Sequence, residues 1–316
     1  MLLAAWFVLD VNFSNPLVFT VLRCFGRANG VYPEFNFYIE PRQVQEFGET
    51  LLARKFIIFD GHRQSGKSTF CYALMRWFNN HPEKFLEISP YHRDEFEVHL
   101  VTFDSSIMID QTSQKFWWSI CRAFYGANST RFDFDPKTFM DSATFKHFFS
   151  KEFHPKKTIL IIDETSCLTS LDDEDNNIKA NTDELMTVLR AIKGDRTNYN
   201  LFSLALVGTS KIRELLIPRQ EPGLSSRISP FSDESGRSFG AGRFTKEEVQ
   251  DLMFQYAKHA PRFDAAGIGE DIYDLTSGHR GLVGVCGCFI EEKRHYDPIL
   301  TVDDWRGNSL QVTASA

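Results

Sequence analysis

One stretch of the chain carries the residue types that bind phosphate. In residues 56–70, FIIFDGHRQSGKSTF, a short apolar run is followed by a loop that matches G-x-x-x-x-G-K-[ST]. Glycines let such a loop curl until its backbone N–H groups point at one phosphate, and the next helix adds its positive dipole end. The stretch therefore predicts a nucleoside triphosphate site. Its residues are Gly61, His62, Arg63, Gln64, Ser65, Gly66, Lys67, Ser68 and Thr69.

Two of these residues have specific expected partners. In loops of this pattern the lysine, here Lys67, reaches the β- and γ-phosphates, and the hydroxyl of Ser68 binds Mg²⁺. A second element, TILIIDET at 158–165, is an apolar run that ends in Asp163 and Glu164. Residues at the carboxyl end of a parallel strand face the ligand crevice. We expect Asp163 to hold the Mg²⁺ and Glu164 to orient and deprotonate the attacking water, which predicts hydrolysis.

The elements that must position these residues alternate along the chain. Four segments read as strands, and two of them, FIIFD and TILIID, read as buried strands, because two-sided burial removes the polar alternation of a half-exposed strand. The four segments are FIIFD, EVHLVTFD, TILIID and LFSLALVGT, and segments with helical periodicity separate them. This alternation predicts an α/β fold with a parallel sheet that is covered by helices on both faces.

From residue 244 the sequence shows helical patterns without further strand patterns of comparable strength. FTKEEVQDLMFQYAKHA begins with Thr245 and has Glu248 three residues later, which is the pattern of a helix with a capping box. No strand pattern of comparable strength follows it. We expect a poorly specified leader at 1–35, an α/β core at 36–243, a small helical lid at 244–300, and a frayed or truncated end at 301–316.

Composition limits the classes of partner. The formal net charge is −7 and the pI about 5.7, so we expect no broad nucleic-acid surface. The N-terminal apolar stretch reaches Asp10 too early for a membrane span and lacks the basic region of a signal peptide. The six cysteines are scattered without metal-ligand spacing, which is typical of reduced thiols in the cytoplasm or nucleus.

Several motifs together resemble a known group. GHRQSGKST, LIIDE, VGTS, SPF, FTKEEV and LTSGHRGLVG are similar to the P-loop ATPases of the AAA+ and STAND group. More narrowly, they resemble the AAA-type ATPase domains of fungal and oomycete Crinkler-family proteins. The resemblance implies a P-loop three-layer sandwich with strand order 5-1-4-3-2, a C-terminal helical lid, and ATP with Mg²⁺ as ligands.

The resemblance also implies roles for residues outside the two main motifs. Thr209, or Ser210 beside it, falls at the end of the sensor 1 strand and would contact the γ-phosphate or the attacking water. Arg227 falls where these ATPases carry an arginine finger that reaches a neighbouring subunit, with Arg213 and Arg219 as competing candidates.

The predicted lid contains one more candidate site residue. The resemblance also implies a function. Arg280 lies where a sensor 2 arginine would contact the γ-phosphate. The implied function is that of an ATPase acting as a conformational switch or effector module, with another protein or further copies of the chain as partners. A non-hydrolysing nucleotide-binding interaction module and, third, a small-molecule kinase stay open. Related Crinklers add the host nucleus to the compartments to be considered.

Overall fold

One parallel sheet organises the chain. A computed structural model describes residues 24–25, 31, 33–130, 132, 140–169, 176–216, 230–231, 238–294 and 296–313. Its strands lie in the order β2-β3-β4-β1-β5. They are β1 (Phe56–Asp60), β2 (Phe96–Thr102), β3 (Lys157–Asp163), β4 (Leu201–Gly208) and β5 (Ser238–Gly240). Counted from the other edge this order is 5-1-4-3-2, so the predicted fold class and strand order are confirmed.

Helices cover both faces of the sheet. Successive side chains of a strand point to opposite faces. Ile57 and Phe59 of β1 therefore pack with the first three helices, whereas Ile58 packs with the next three. The helices of the described residues are α1 (Val44–Leu52), α2 (Lys67–Asn80), α3 (Glu83–Ile88), α4 (Ser113–Ala127), α5 (Ser142–His147), α6 (Asn176–Gly194), α7 (Lys246–Ala257), α8 (Ala265–Thr276), α9 (Arg280–Lys293) and α10 (Val302–Thr313).

Aromatic packing fixes the two elements on either side of the glycine loop. Phe59 near the end of β1 and Phe70 in the first turn of α2 stack with ring centroids 4.0 Å apart. Phe47 of α1 meets both rings edge-on, at 5.7 and 5.2 Å. Offset and edge-to-face aromatic pairs add specific geometry to the burial of apolar area. This packing holds the end of β1 and the start of α2 in place, and with them both ends of the loop that joins them.

A separate apolar cluster forms the core of the C-terminal helices. Val249 of α7, Ile268 of α8 and Val283 of α9 are all fully buried in it. The predicted capping box of α7 is confirmed: Thr245 N donates to Glu248 Oε2 at 2.8 Å, and Glu248 N donates to Thr245 Oγ1 at 3.3 Å. These helices form the unit that we call the lid; its predicted limits, 244–300, remain a prediction.

The lid is tied to the segment that precedes α1. The Gln255 side chain pairs with both backbone groups of Tyr38, accepting from its N–H at 3.0 Å and donating to its carbonyl at 2.9 Å. Arg42 donates from Nε to Glu248 at 2.8 Å. The Tyr38 hydroxyl accepts a 2.6 Å hydrogen bond from Arg76 of α2. One short segment thus contacts both the sheet layers and the lid.

Described residues near both ends of the chain pack into the core of the C-terminal helices. Phe25, inside the predicted leader, is buried in the lid core, where its ring lies against Phe37 and Tyr256. The end that we expected to be frayed or truncated from residue 301 contains α10, and its Trp305 is fully buried. Trp305 and a Thr301–Asp304 cap, with Asp304 Oδ2 accepting from Thr301 N at 2.9 Å, explain this helix. The T-x-x-D pattern was a sequence signal that we overlooked.

Two other sequence expectations concern thiols and membranes. All six cysteines are free thiols, and four of them are buried. Among the residues that the structure describes, no helix is long and apolar enough to cross a membrane.

Candidate nucleotide site

The glycine loop leaves β1 at Asp60 and enters α2 at Lys67. Gly61 N donates to the carbonyl of Gly208 on the neighbouring β4 at 3.1 Å. Gln64 and Gly66 both have positive φ, 56° and 87°, in the left-handed region. Glycine adopts that region freely, whereas a residue with a Cβ is strained there. The backbone therefore turns back on itself just before the N-terminus of α2.

Lys67 lies within this loop. Only 6% of the residue is exposed, and its Nζ donates to the carbonyl of His62 at 2.8 Å. Burial lowers the pKa of the amine, and the nearby charges of Glu164 and Asp163 oppose that shift. The structure thus brings Lys67 near both acids that the sequence singled out. His62 and Arg63, which we predicted as nucleotide ligands, are exposed on the loop.

Asp163 ends β3 and is 3% exposed. Its Oδ1 accepts from Glu164 N at 2.8 Å, and its carboxylate also accepts a hydrogen bond from the Ser68 hydroxyl. Burial raises the pKa of this carboxyl, and the bond from Ser68 opposes the rise. Ser68 and Asp163, predicted from motifs 95 positions apart, are therefore in contact.

These two side chains fit Mg²⁺. Mg²⁺ takes oxygen ligands, keeps several waters, and is usually held by one or two protein groups together with substrate phosphates. A hydroxyl bonded to a buried carboxylate offers such a pair. Within the described ranges, no group of three or more His, Cys, Asp or Glu residues could form an all-protein metal cage.

Glu164 has an unusual backbone. Its φ of 58° and ψ of 30° are left-handed, and its side chain is exposed at the start of a 3₁₀ turn, Thr165–Leu168. A non-glycine residue in this region costs about 1–3 kcal/mol and persists only where its surroundings impose it. The next residue supplies such a restraint, because the fully buried Thr165 donates from Oγ1 to the carbonyl of Val207 on β4 at 2.9 Å.

Thr209 follows β4 and is joined to the same turn. Its N–H donates to Ser166 Oγ at 2.7 Å, and its carbonyl accepts from Ile212 N at 3.0 Å. A Cβ on Gly208 would lie 2.9 Å from Ser166 Oγ, so the two turns interlock closely. Ser210, the alternative to Thr209, is exposed at the start of the following 3₁₀ segment, Ser210–Leu216.

Arg280 brings the lid to the glycine loop. A Cβ on Gly66 would lie 3.2 Å from Arg280 Cδ and 3.3 Å from its Nη1. The guanidinium stacks over Phe244, 4.8 Å from the ring centroid, and burial lowers its pKa. Two buried polar atoms near this point, Arg280 Nε and Ser65 Oγ, find no hydrogen-bond partner among the described groups. An unpaired buried polar atom is costly, so a ligand that bonded to these two atoms would relieve that cost.

Other predicted residues have different positions. Thr69 Oγ1 accepts from Val31 N at 3.1 Å, outside the phosphate loop. Arg227 and the competing Arg219 lie outside the described residues. Arg213, the third candidate for an arginine finger, pairs instead with Asp60 of its own chain, Nε to Oδ1, at 2.9 Å.

Three residues of this site escaped the sequence interpretation. Asp60 was predicted only as the end of the FIIFD strand, and no role was predicted for Thr165 or Ser166. The polar ending of FIIFD and the hydroxyls directly after the Asp-Glu pair were the available signals. Their partners on other strands could not be known before the sheet order was known.

Comparison with solved structures supports the fold. The Walker-type ATPase PABY2304 of Pyrococcus abyssi superposes with a TM-score of 0.57 at 13% identity, covering 92% of this chain and 77% of that one. The HORMA:CdnC:Trip13 complex of E. coli MS115-1 gives a TM-score of 0.48 at 11% identity, covering 87% and 82%, which is too distant to carry an argument. No curated protein matches the chain by sequence.

A family model gives the more specific result. The model of the AAA domain matches residues 51–216, more than half of the chain, and this range contains the glycine loop, the Asp-Glu pair and the turn after β4. The chain therefore belongs to the AAA domain family of P-loop ATPases.

Proposed function

We propose that this protein binds ATP with Mg²⁺ and hydrolyses it. One observation carries the proposal: Lys67, Ser68, Asp163 and Glu164 meet where β1 and β3 end. Ligands of open α/β sheets bind outside the carboxyl ends of the strands. Hydroxyl, carboxylate and amine groups gathered there suit a triphosphate and its metal ion.

The loop residues would bind the phosphates. Lys67 Nζ now donates to a loop carbonyl, and a phosphate oxygen can replace that acceptor without the amine leaving the loop. Burial lowers the pKa of this amine, Glu164 and Asp163 oppose that shift, and a bound phosphate would oppose it further. Ser68 and Asp163 are the residues that would hold Mg²⁺, which neutralises charge on the β- and γ-phosphates when bound.

Glu164 is suited to the role of general base. Its carboxylate is exposed, and its backbone is fixed in an unusual conformation one residue beyond Asp163. It would take a proton from a water whose oxygen then bonds to the γ-phosphorus, while the bond from that phosphorus to the leaving ADP oxygen breaks. Thr209 lies on the adjoining turn and could orient the same water.

A switch role is supported by the contact between lid and loop. Arg280 lies against Gly66, and a Cβ on Gly281 would lie 2.5 Å from Gln64 Cβ and 3.0 Å from its carbonyl oxygen. A triphosphate in the loop would meet the lid directly, so binding and release would shift the lid. The effector role suggested by the Crinkler resemblance would use such a motion to expose or hide a surface for a protein partner or a second copy.

The test is Mg²⁺-dependent phosphate release from ATP, with a fluorescent ATP analogue reporting binding in parallel. We expect Glu164→Gln to bind the analogue like the wild type and to lose at least about a hundredfold in turnover, because removal of a general base costs that much. Lys67→Ala should lose binding. Glu152→Gln, an exposed glutamate outside the site, is the matched control and should keep both.

The outcomes separate two readings. Equal turnover by Glu164→Gln and the wild type would overturn the assignment of Glu164. Binding by both proteins with no turnover in either would overturn hydrolysis by the chain alone and favour a nucleotide-gated binding module. Phosphate release per molecule is then measured at rising concentrations of the wild-type protein. An increase with concentration would indicate that a second copy supplies a missing arginine.

A further inference from the structure

Phe244 lies in the short segment that joins the sheet to the lid. β5 ends at Gly240 and α7 begins at Lys246, so Phe244 is one of the residues between them. Its side chain packs against the apolar core of the lid. At the start of the same segment, Ala241 N donates to the carbonyl of Asp60 at 2.8 Å, which fixes the segment to β1. Phe244 therefore belongs to a direct connection between the two units.

The backbone of Phe244 holds the turn that precedes α9. Its N–H donates to the carbonyl of Gly278 at 2.8 Å. The approach is close, because Gly278 has a φ of 71° and a Cβ on it would overlap the carbonyl oxygen of Phe244. His279 follows and caps the helix, with its Nδ1 accepting from Leu282 N at 3.4 Å. Arg280, the first residue of α9, therefore starts from a turn that Phe244 restrains.

The ring of Phe244 also contacts the Arg280 side chain. The guanidinium carbon lies 4.8 Å from the ring centroid, inside the roughly 6 Å over which a cation–π attraction acts. Arg280 also reaches the glycine loop, since its Cδ and Nη1 lie 3.2 and 3.3 Å from the position of a Cβ on Gly66. Gly66 directly precedes Lys67, so the guanidinium lies beside the loop backbone.

The surroundings of Arg280 do not explain why an arginine lies there. A cation is unfavourable at the N-terminus of a helix, where the dipole end is positive. Glu248 is the acid whose charge acts on Arg280 most strongly. The Glu248 carboxylate already accepts hydrogen bonds of 2.8 Å from Arg42 Nε and from Thr245 N. Arg280 Nε is buried and has no hydrogen-bond partner in the part of the chain that the structure describes. An anion held by the adjoining loop would suit this donor and its charge.

We propose that Phe244 is a positioning residue that holds Arg280 against the glycine loop, where the guanidinium binds the phosphates of the triphosphate. Phe244 acts through Arg280 and does not touch the nucleotide. The inference rests on the proposed nucleotide-binding function and adds to it a residue of the connecting segment on which the affinity depends.

Titration of the full chain with a fluorescent ATP analogue tests the inference. Phe244→Leu keeps an apolar side chain but removes the aromatic face, and it should bind about fivefold more weakly than the wild type. Phe244→Tyr restores the face and should bind within about twofold of the wild type. Phe289→Leu is the matched control, because the Phe289 ring pairs with a different cation of α9, Lys293, whose Nζ lies 5.7 Å from the ring centroid. It should also bind within about twofold of the wild type.

Arg280→Gln supplies the second half of the test. It should weaken binding at least as much as Phe244→Leu does. Adding Phe244→Leu to it should cause no further loss, because the ring then has no cation to position. A further loss of about fivefold in that background would overturn the inference, because Phe244 would then act independently of Arg280. If Phe244→Leu melts below the wild type without nucleotide, Phe244→Met replaces it in both backgrounds and the same outcomes apply.

The remaining outcomes separate the inference from the function on which it rests. Wild-type affinity in Phe244→Leu, or an equal loss in Phe289→Leu, would overturn the inference and leave the proposed function in place. A wild type that fails to bind the analogue would overturn the proposed function, and the inference with it.

Discussion

Ser166 Oγ accepts a 2.7 Å hydrogen bond from the backbone N–H of Thr209. This bond joins the turn after β3, which carries Glu164, to the turn after β4, which carries the predicted sensor residue. Thr165 makes a second connection to β4 through the carbonyl of Val207. The two turns are therefore held at a fixed separation, and the left-handed backbone of Glu164 lies beside these restraints.

Removing the Ser166 hydroxyl should separate turnover from binding. Ser166→Ala frees the Thr209 N–H, and we expect kcat for ATP to fall about tenfold while the affinity for the ATP analogue stays unchanged, because small displacements affect chemistry more than ground-state binding. Thr169→Ala is the matched control: its hydroxyl bonds to the Ser166 carbonyl in the same turn and makes no bond to β4. An equal loss of kcat in both variants would contradict the coupling.

Gly66 should tolerate no side chain. Its φ of 87° strains any residue with a Cβ, and the added atom would press on Arg280 at 3.2 Å. Gly66→Ala should lower the free energy of unfolding by about 1–2 kcal/mol and weaken ATP-analogue binding about tenfold. Gly126 of α4 has open space around it. Gly126→Ala should therefore raise the free energy of unfolding, measured by urea denaturation, by up to about 1 kcal/mol. Similar effects of the two substitutions would argue against a special loop backbone.

Asp163 should make stability depend on pH. Burial raises its pKa in the folded protein above the ordinary 3.8, so holding it ionised costs stability at any pH above the folded pKa. That cost disappears as the pH falls through the folded pKa towards 3.8. We expect Asp163→Asn, without nucleotide, to melt at a higher temperature than the wild type at neutral pH. The difference should shrink on acidification, and a constant difference across the titration would contradict this origin.

Trp305 should be essential to the lid. It is fully buried, and its Nε1 donates to Asp271 Oδ2 at 2.9 Å. Trp305→Ala should cost about 3–5 kcal/mol of unfolding free energy, as large-to-small core substitutions of aromatic residues do. Tyr296 is 92% exposed, so Tyr296→Ala should change stability by no more than about 0.5 kcal/mol. A Trp305→Ala protein as stable as the control would mean that α10 does not belong to the lid core.

Local patterns identified the parts of the site that lie within one segment. The spacing of Gly61, Gly66, Lys67 and Ser68 is set by the geometry of one loop around one phosphate group, so it can be read along the chain. The apolar runs FIIFD and TILIID predicted buried strands for a similar reason, because a strand that is buried on both faces has no alternation of apolar and polar residues. The helical lid was predicted from the change of pattern at residue 244, and the strand order followed from the resemblance of the motifs to a known group.

Pairs between segments were decided by the tertiary structure. Asp60 meets Arg213, Ser166 meets Thr209, and Arg280 meets Gly66 only because β1, β3 and β4 lie side by side and the lid folds back over the loop. Phe25 likewise packs into the lid core against residues that are distant from it in the sequence. A sequence determines which residues can bind, donate or pack, through their types and local spacing. Which distant residue completes each pair depends on the order of the strands and the docking of the lid, and no local pattern records those.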